Sequence, residues 1–119
     1  MPASKITFGK FVRKERKARE IGVREMAKMV GVSPTYLSQV ERNEYAPPTE
    51  ERVRAIAQVI ECDPDELLAL AGRISADLAE IIQRRPVEIS ALLRAMKGLS
   101  RDDIVCLAQE AQKIREAQS

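Results

Sequence analysis

The chain has no histidine, no tryptophan, and only two phenylalanines and two tyrosines among its 119 residues. Without histidine there is no imidazole for proton transfer, and nothing to complete a zinc set with the two cysteines. Cys62 and Cys106 stand 44 residues apart, so Cys62 reads as a small core hydrophobe and Cys106 as an exposed thiol. There is no glycine-rich phosphate loop, no nucleophile elbow, and no carboxylate cluster without a helix-capping explanation. Neither an enzyme nor a cofactor or metal site is therefore expected. No apolar stretch approaches the roughly 20 residues that cross a bilayer, and the first residues lack a signal-like hydrophobic run. The expectation is no membrane contact and a cytoplasmic location. With aromatics at 3% and hydrophobic residues at 45%, the core has to come from Ile, Leu, Val, Met and Ala. Alternating β-branched runs are scarce, which predicts an all-α fold.

The formal charge of +2 hides a division along the chain. Residues 1–48 carry ten Lys/Arg and five Asp/Glu, whereas residues 49–119 carry ten and thirteen. In the basic part, Lys10, Arg13, Lys14, Arg16, Lys17 and Arg19 crowd one helix, predicted from Thr7 or Phe8 to about Glu20 and ended by Ile21-Gly22. Such a surface draws a polyanion whatever its sequence. A second helix, Val23 to Val30, presents Met26, Ala27 and Val30 on one face and stops at Gly31. After the turn Gly31-Val32-Ser33, Ser33 can cap a third helix whose first residue is Pro34. At 100° per residue, Leu37, Val40 and Glu41 fall on one side of that helix, and Pro34, Thr35, Ser38, Gln39 and Arg42 on another. Two short helices joined by a tight glycine turn form a helix-turn-helix unit.

Asn43 can take a left-handed conformation, and Pro47-Pro48 block continuation. Thr49 then opens a fourth helix with Val53, Ile56, Ala57 and Ile60 buried. Asp63-Pro64 opens a fifth containing Leu67, Leu68 and Leu70 before Gly72. Beyond it, Ile74, Leu78, Ile81 and Ile82 mark one helix. Pro86 starts another with Ile89, Leu92, Leu93 and Met96, closed by Gly98. Ser100 with Asp103 caps a last one in which Ile104, Leu107, Ala108, Ala111 and Ile114 recur at coiled-coil-like spacing. That much aliphatic surface cannot be buried locally. It is read as a dimerisation surface made by Ile89, Leu92, Leu93, Met96, Ile104, Leu107, Ala111 and Ile114, the other reading being a layer packed on the preceding helices.

Taken in order, Arg16, Met26-Ala27, Gly31-Val32-Ser33, the run Ser33 to Arg42, Ile56-Ala57 and Asp63-Pro64-Asp65-Glu66-Leu67-Leu68 carry a resemblance. Residues 5–71 resemble the five-helix, lambda-repressor-like DNA-binding domain of the Cro and phage-repressor (XRE) family, with residues 72–119 an added segment of about three helices. The resemblance implies a third helix in the major groove of double-stranded DNA, with Ser33, Pro34, Thr35, Ser38 and Gln39 facing base edges and Tyr36 and Arg42 facing phosphates. Gln39 has the amide that can bond bidentately to adenine. It also implies a structural ion pair between Arg16 and Glu41. Two positions depart from the family pattern. Gly22-Val23 stand where a Ser or Thr and a phosphate-bonding Gln are common, leaving Arg24 as the replacement contact. Glu15 stands where an aliphatic residue is common. The function so implied is a transcriptional regulator, of repressor type, binding an inverted repeat as a homodimer. The alternative is an antitoxin-type regulator whose C-terminal helices hold a partner protein.

Overall fold

The computed structural model describes residues 6–119; Lys5, the expected first residue of the DNA-binding domain, lies outside the described residues. Local chemistry accounts for most helix starts. The Thr7 hydroxyl accepts the Lys10 N–H at 3.2 Å and opens α1 (Phe8–Ala18). Ser33 accepts the Tyr36 N–H at 3.1 Å and opens α3 (Pro34–Glu41), and Asp63 accepts two N–H groups and opens α5 (Pro64–Leu70). In α3 and α5 proline takes the first turn, where its missing N–H costs nothing. The helices α2 (Val23–Val30) and α4 (Glu50–Val59) follow Gly22 and Thr49 without a side-chain cap bond.

Five helix ends share one device. Glu20, Gly31, Asn43, Glu61 and Gly72 take positive φ, and the next N–H in each case returns to a carbonyl five residues back, at 2.9–3.1 Å. These bonds, such as Val32 to Ala27 and Glu44 to Gln39, satisfy carbonyls left over at a helix C-terminus. At the end of α1 the turn is made by Glu20 (φ 55°), while Gly22, expected to break the helix, is extended. Arg16 Nη1 donates to the Ile21 carbonyl at 2.8 Å, and Ile21 packs against the core, so the chain reverses before the glycine.

Phe8 and Val12, Met26 and Ala27, Leu37 and Val40, Val53, Ile56, Ala57 and Ile60, and Leu67 and Leu68 close one core, each at most 4% exposed. All five helices contribute, with α1 against α3, α2 against α3 and α4, and α4 against α5. Cys62 packs at its margin and is half-buried, less enclosed than a core hydrophobe, with Sγ donating to the Asp63 carbonyl at 3.4 Å. The first compact unit runs to Ala76, past the Ala71 boundary read from the helix pattern. Arg73 Nη2 reaches the Pro47 carbonyl at 2.7 Å, Ser75 is buried, and the Ala76 N–H donates to Glu50 Oε1.

The second unit, Asp77–Ser119, contains most of α6 (Ala76–Arg84) and all of α7 (Pro86–Ala95) and α8 (Arg101–Ala117). Ile74 precedes α6 rather than belonging to it, and α7 ends at Ala95, before the left-handed Gly98. Ser100 and Asp103 form a complete capping box on α8. No residue of α6, α7 or α8 is buried. All described elements are helices, and none is long and apolar enough to cross a membrane.

Candidate nucleic-acid interface

The amphipathic pattern of α3 leaves one face to the core and one to solvent. Leu37, Val40 and Glu41 are at most 5% exposed. Opposite them, Ser33, Pro34, Thr35 and Arg42 are exposed, and Tyr36, Ser38 and Gln39 are half-buried. The seven residues singled out on this helix thus lie on one continuous polar surface about three turns long.

Two contacts from α1 hold α3 at its C-terminal end. Arg16 meets Glu41 in a two-pronged ion pair, Nε to Oε2 and Nη2 to Oε1, each 2.8 Å, with side chains 10% and 4% exposed. The bond to Glu41 raises the already high pKa of the guanidinium. Parallel charge-assisted bonds fix direction as well as distance, so the pair sets the rotation of α3 about its axis. Gly9 forms the second contact. A Cβ at this position would overlap the Val40 carbonyl oxygen and stand 2.5 Å from that of Glu41, so only glycine lets the two backbones approach this closely. Its N–H donates to Asn43 Oδ1 at 3.3 Å, and Asn43 Nδ2 donates to Thr7 Oγ1 at 3.0 Å. Asn43 therefore ends α3 with its backbone and locks it to the start of α1 with its side chain.

The basic surface of α1 is smaller than its composition promised. Arg16 is taken by Glu41, and Arg19 is half-buried, 2.9 Å from Glu15 and 3.6 Å from Glu61. The Arg19 pair also explains Glu15, whose carboxylate stays at the core margin because a cation one turn on meets it. Lys10, Arg13, Lys14 and Lys17 remain exposed, within a stripe of about 100° at the helical repeat. Arg13 lines a cleft of about 190 Å³ with Arg16, Val23, Ser38, Glu41 and Arg42, which joins the α1 stripe to the polar face of α3. Arg13 was visible in the sequence only as one cation among six. Its place beside Ser38 depends on how α1 crosses α3.

At the start of α2, Arg24 is exposed and Val23 is half-buried against the core. The turn after α2 is tied to α4 by Arg52 Nη1, which donates to the Gly31 carbonyl at 2.8 Å. Tyr36 stacks on Tyr45 with ring centroids 5.8 Å apart. Tyr45 carried no signal in the sequence, because its position over α3 depends on the turn at Asn43. Arg42 is held by Glu44, Nε to Oε2 at 2.7 Å.

The DNA-binding domain of the P22 c2 repressor, solved in solution, is 36% identical over 56% of this chain and 86% of that one, with a TM-score of 0.50. A helix-turn-helix family model matches residues 12–67. The chain belongs to the helix-turn-helix family of the Cro and phage-repressor type. Within this helix-turn-helix family it is 31% identical over 74 residues to the HTH-type transcriptional regulator RghRB of Bacillus subtilis (strain 168), covering 62% of this chain and 53% of that protein. It is 40% identical over 61 residues to repressor protein C2 of Salmonella phage P22, covering 51% of this chain and 28% of that protein. The chain thus spans about half the length of the first of these curated relatives and less of the second. The family match ends at residue 67, so α6, α7 and α8 lie beyond it.

Proposed function

We propose that the protein is a transcriptional regulator of repressor type that reads double-stranded DNA with α3 and does so as a homodimer on an inverted repeat. The observation that carries the DNA reading is the polar face of α3, held rigidly by the Arg16–Glu41 pair and the Gly9 contact, in a domain similar to one described as the DNA-binding domain of the P22 c2 repressor. In this reading Ser33, Pro34, Thr35, Ser38 and Gln39 face base edges, with the Gln39 amide matched to adenine. Arg24, Tyr36 and Arg42 meet phosphates and set the register. Bound to a promoter in the cytoplasm, the dimer would repress by excluding polymerase.

The dimer rests on the second unit. Leu92 and Leu93 are 50% and 49% exposed, and Ile104, Leu107 and Ile114 are 40%, 41% and 55% exposed. Together with Met96 and Ala111 most of them line an apolar groove of about 350 Å³ along α7 and α8. Helices that bury nothing are marginal on their own in water, and a second copy would cover this surface while placing two α3 helices on half-sites about 34 Å apart.

Site selection from a random duplex library tests the first part and analytical ultracentrifugation the second. A palindromic consensus and a dimer at micromolar concentration are expected. Gln39→Ala should then cost roughly 1–3 kcal/mol and relax one base position. An equal loss on cognate and random DNA would rule out direct readout by Gln39, and a monomer at all concentrations would rule out the dimer.

A further inference from the structure

We propose that Glu44 is a built-in competitor of DNA phosphate for the guanidinium of Arg42, lowering the protein's affinity for any duplex. The inference rests on the DNA-binding reading above. Arg42 stands on the polar face of α3 and lines the cleft with Arg13 and Ser38. Its fork is already occupied, with Nε 2.7 Å from Glu44 Oε2 and Nη2 3.5 Å from Oε1.

Glu44 is not a loose loop residue that happens to lie nearby. Asn43 takes the left-handed conformation, φ 61°, and the Glu44 N–H returns to the Gln39 carbonyl at 2.9 Å. The backbone of Glu44 is thereby bonded to the residue best suited to read a base, and the same turn is locked to α1 through the Asn43 amide. The helix cap therefore delivers the carboxylate to Arg42. Both side chains are about half exposed, 56% and 51%, so a phosphate can reach the guanidinium and exchange with the carboxylate. An exposed ion pair is weak enough to be displaced, but the displaced carboxylate then stands beside a polyanion. While the pair persists, the two charges cancel and Arg42 releases no counterion on binding. Because phosphate contacts carry no sequence information, the effect falls on specific and non-specific DNA alike. A regulator attenuated in this way leaves random sequence more readily, and more of its binding depends on base contacts.

The test uses the full chain and a random-sequence duplex of about 30 base pairs, with binding followed by fluorescence anisotropy across a salt series. Glu44→Gln keeps shape and removes the charge. It should bind more tightly than wild type at low salt, and the slope of log affinity against log salt should steepen by up to about 0.9, the value for one more phosphate contact. The variant's advantage should then shrink about threefold between 50 and 200 mM salt. In an Arg42→Gln background the same Glu44→Gln change should gain much less. An equal gain in both backgrounds would overturn the proposal, since the carboxylate would then act on DNA directly rather than through Arg42. Unchanged or weaker binding by Glu44→Gln beside a wild type that binds would overturn it too, the latter showing that Glu44 orients Arg42 for phosphate. Failure of the wild type to bind any duplex would remove the DNA reading and this inference together. Circular dichroism melts of the variants should match wild type, both positions being exposed and outside the core.

Discussion

Gly9→Ala tests the geometry of the interface more directly than any change on the polar face. In an exposed helix interior, alanine in place of glycine stabilises by about 0.8–1.0 kcal/mol. Here the sign should reverse. The new Cβ would overlap the Val40 carbonyl oxygen, stand 2.5 Å from the Glu41 oxygen and 2.7 Å from Asn43 Oδ1. Two of those obstacles are backbone atoms of α3, which no rotamer can move aside. The helices must separate by roughly an ångström, at the 1–3 kcal/mol typical of about one methyl too many in a packed region. The Gly9 N–H to Asn43 bond is lost with them, about 1 kcal/mol more. Against the gain in helix propensity, the net is a destabilisation of about 1–3 kcal/mol, or roughly 4–24 °C in Tm at about 4–8 °C per kcal/mol for a domain of this size. Urea unfolding followed by tyrosine fluorescence isolates the relevant unit, since the chain has no tryptophan and both tyrosines, Tyr36 and Tyr45, lie in the first unit. Gly22→Ala is the internal control, because nothing lies within 4 Å of a Cβ there and φ is −72°. Gly22 is the N-cap of α2, where glycine is preferred over alanine, so the change should cost no more than about 1 kcal/mol. A Gly9→Ala protein as stable as wild type, with unchanged DNA affinity, would refute the close approach of α1 to α3.

Arg16→Ala should destabilise the first unit by about 2–3 kcal/mol, toward the low side for a broken buried pair because the guanidinium borders the cleft, leaving the Glu41 carboxylate unpaired; a denaturation midpoint within error of wild type would contradict this. Ser100→Ala removes the hydroxyl half of the α8 capping box, leaving the backbone N–H of residue 100 bonded to Asp103, and should cost about 1 kcal/mol, seen as reduced helicity and, if the second unit dimerises, weaker self-association by sedimentation. With a thiol-specific reagent at neutral pH, Cys106, which is exposed, should react well before Cys62. Burial, then the carboxylates of Glu66 and Asp63, push the Cys62 thiol pKa up. Because the folded value lies above the unfolded one, any stability it contributes is complete below the unfolded pKa and is lost as pH rises through the folded one. Equal reaction rates for the two thiols would refute the difference in their surroundings.

The helix starts were legible because their chemistry is local. Ser33-Pro34, Asp63-Pro64, Pro86 and the Ser100–Asp103 box each act within a few residues, and the structure shows helices opening at all four. The ends at Gly31 and Gly72 and the turn at Asn43 were legible for the same reason, since these residues tolerate positive φ. Glu20 and Glu61 take the same conformation without any side-chain preference for it. They do so because Ile21 and Cys62, the next residues, pack at the core. Glu15 looked anomalous until Arg19 met it, and the basic helix looked broader than it is until Arg16 and Arg19 were seen to be paired.

By itself the sequence determined five helices and about three more after them, the buried stripe of α3 and the polar face opposite, because periodicity and capping operate over three to four residues. Only the tertiary structure decided what Gly9, Arg13, Asn43 and Glu44 do. Gly9 reads as a weak helix residue until the carbonyls of α3 come against it, and Arg13 reads as one lysine-like charge among several until α1 lays it beside Ser38 and Arg42. Glu44 reads as loop until the turn at Asn43 folds it back onto Arg42. Each of these roles needs close approach between backbones or charges that the chain's local rules do not encode, and that approach exists only once the five helices share a core.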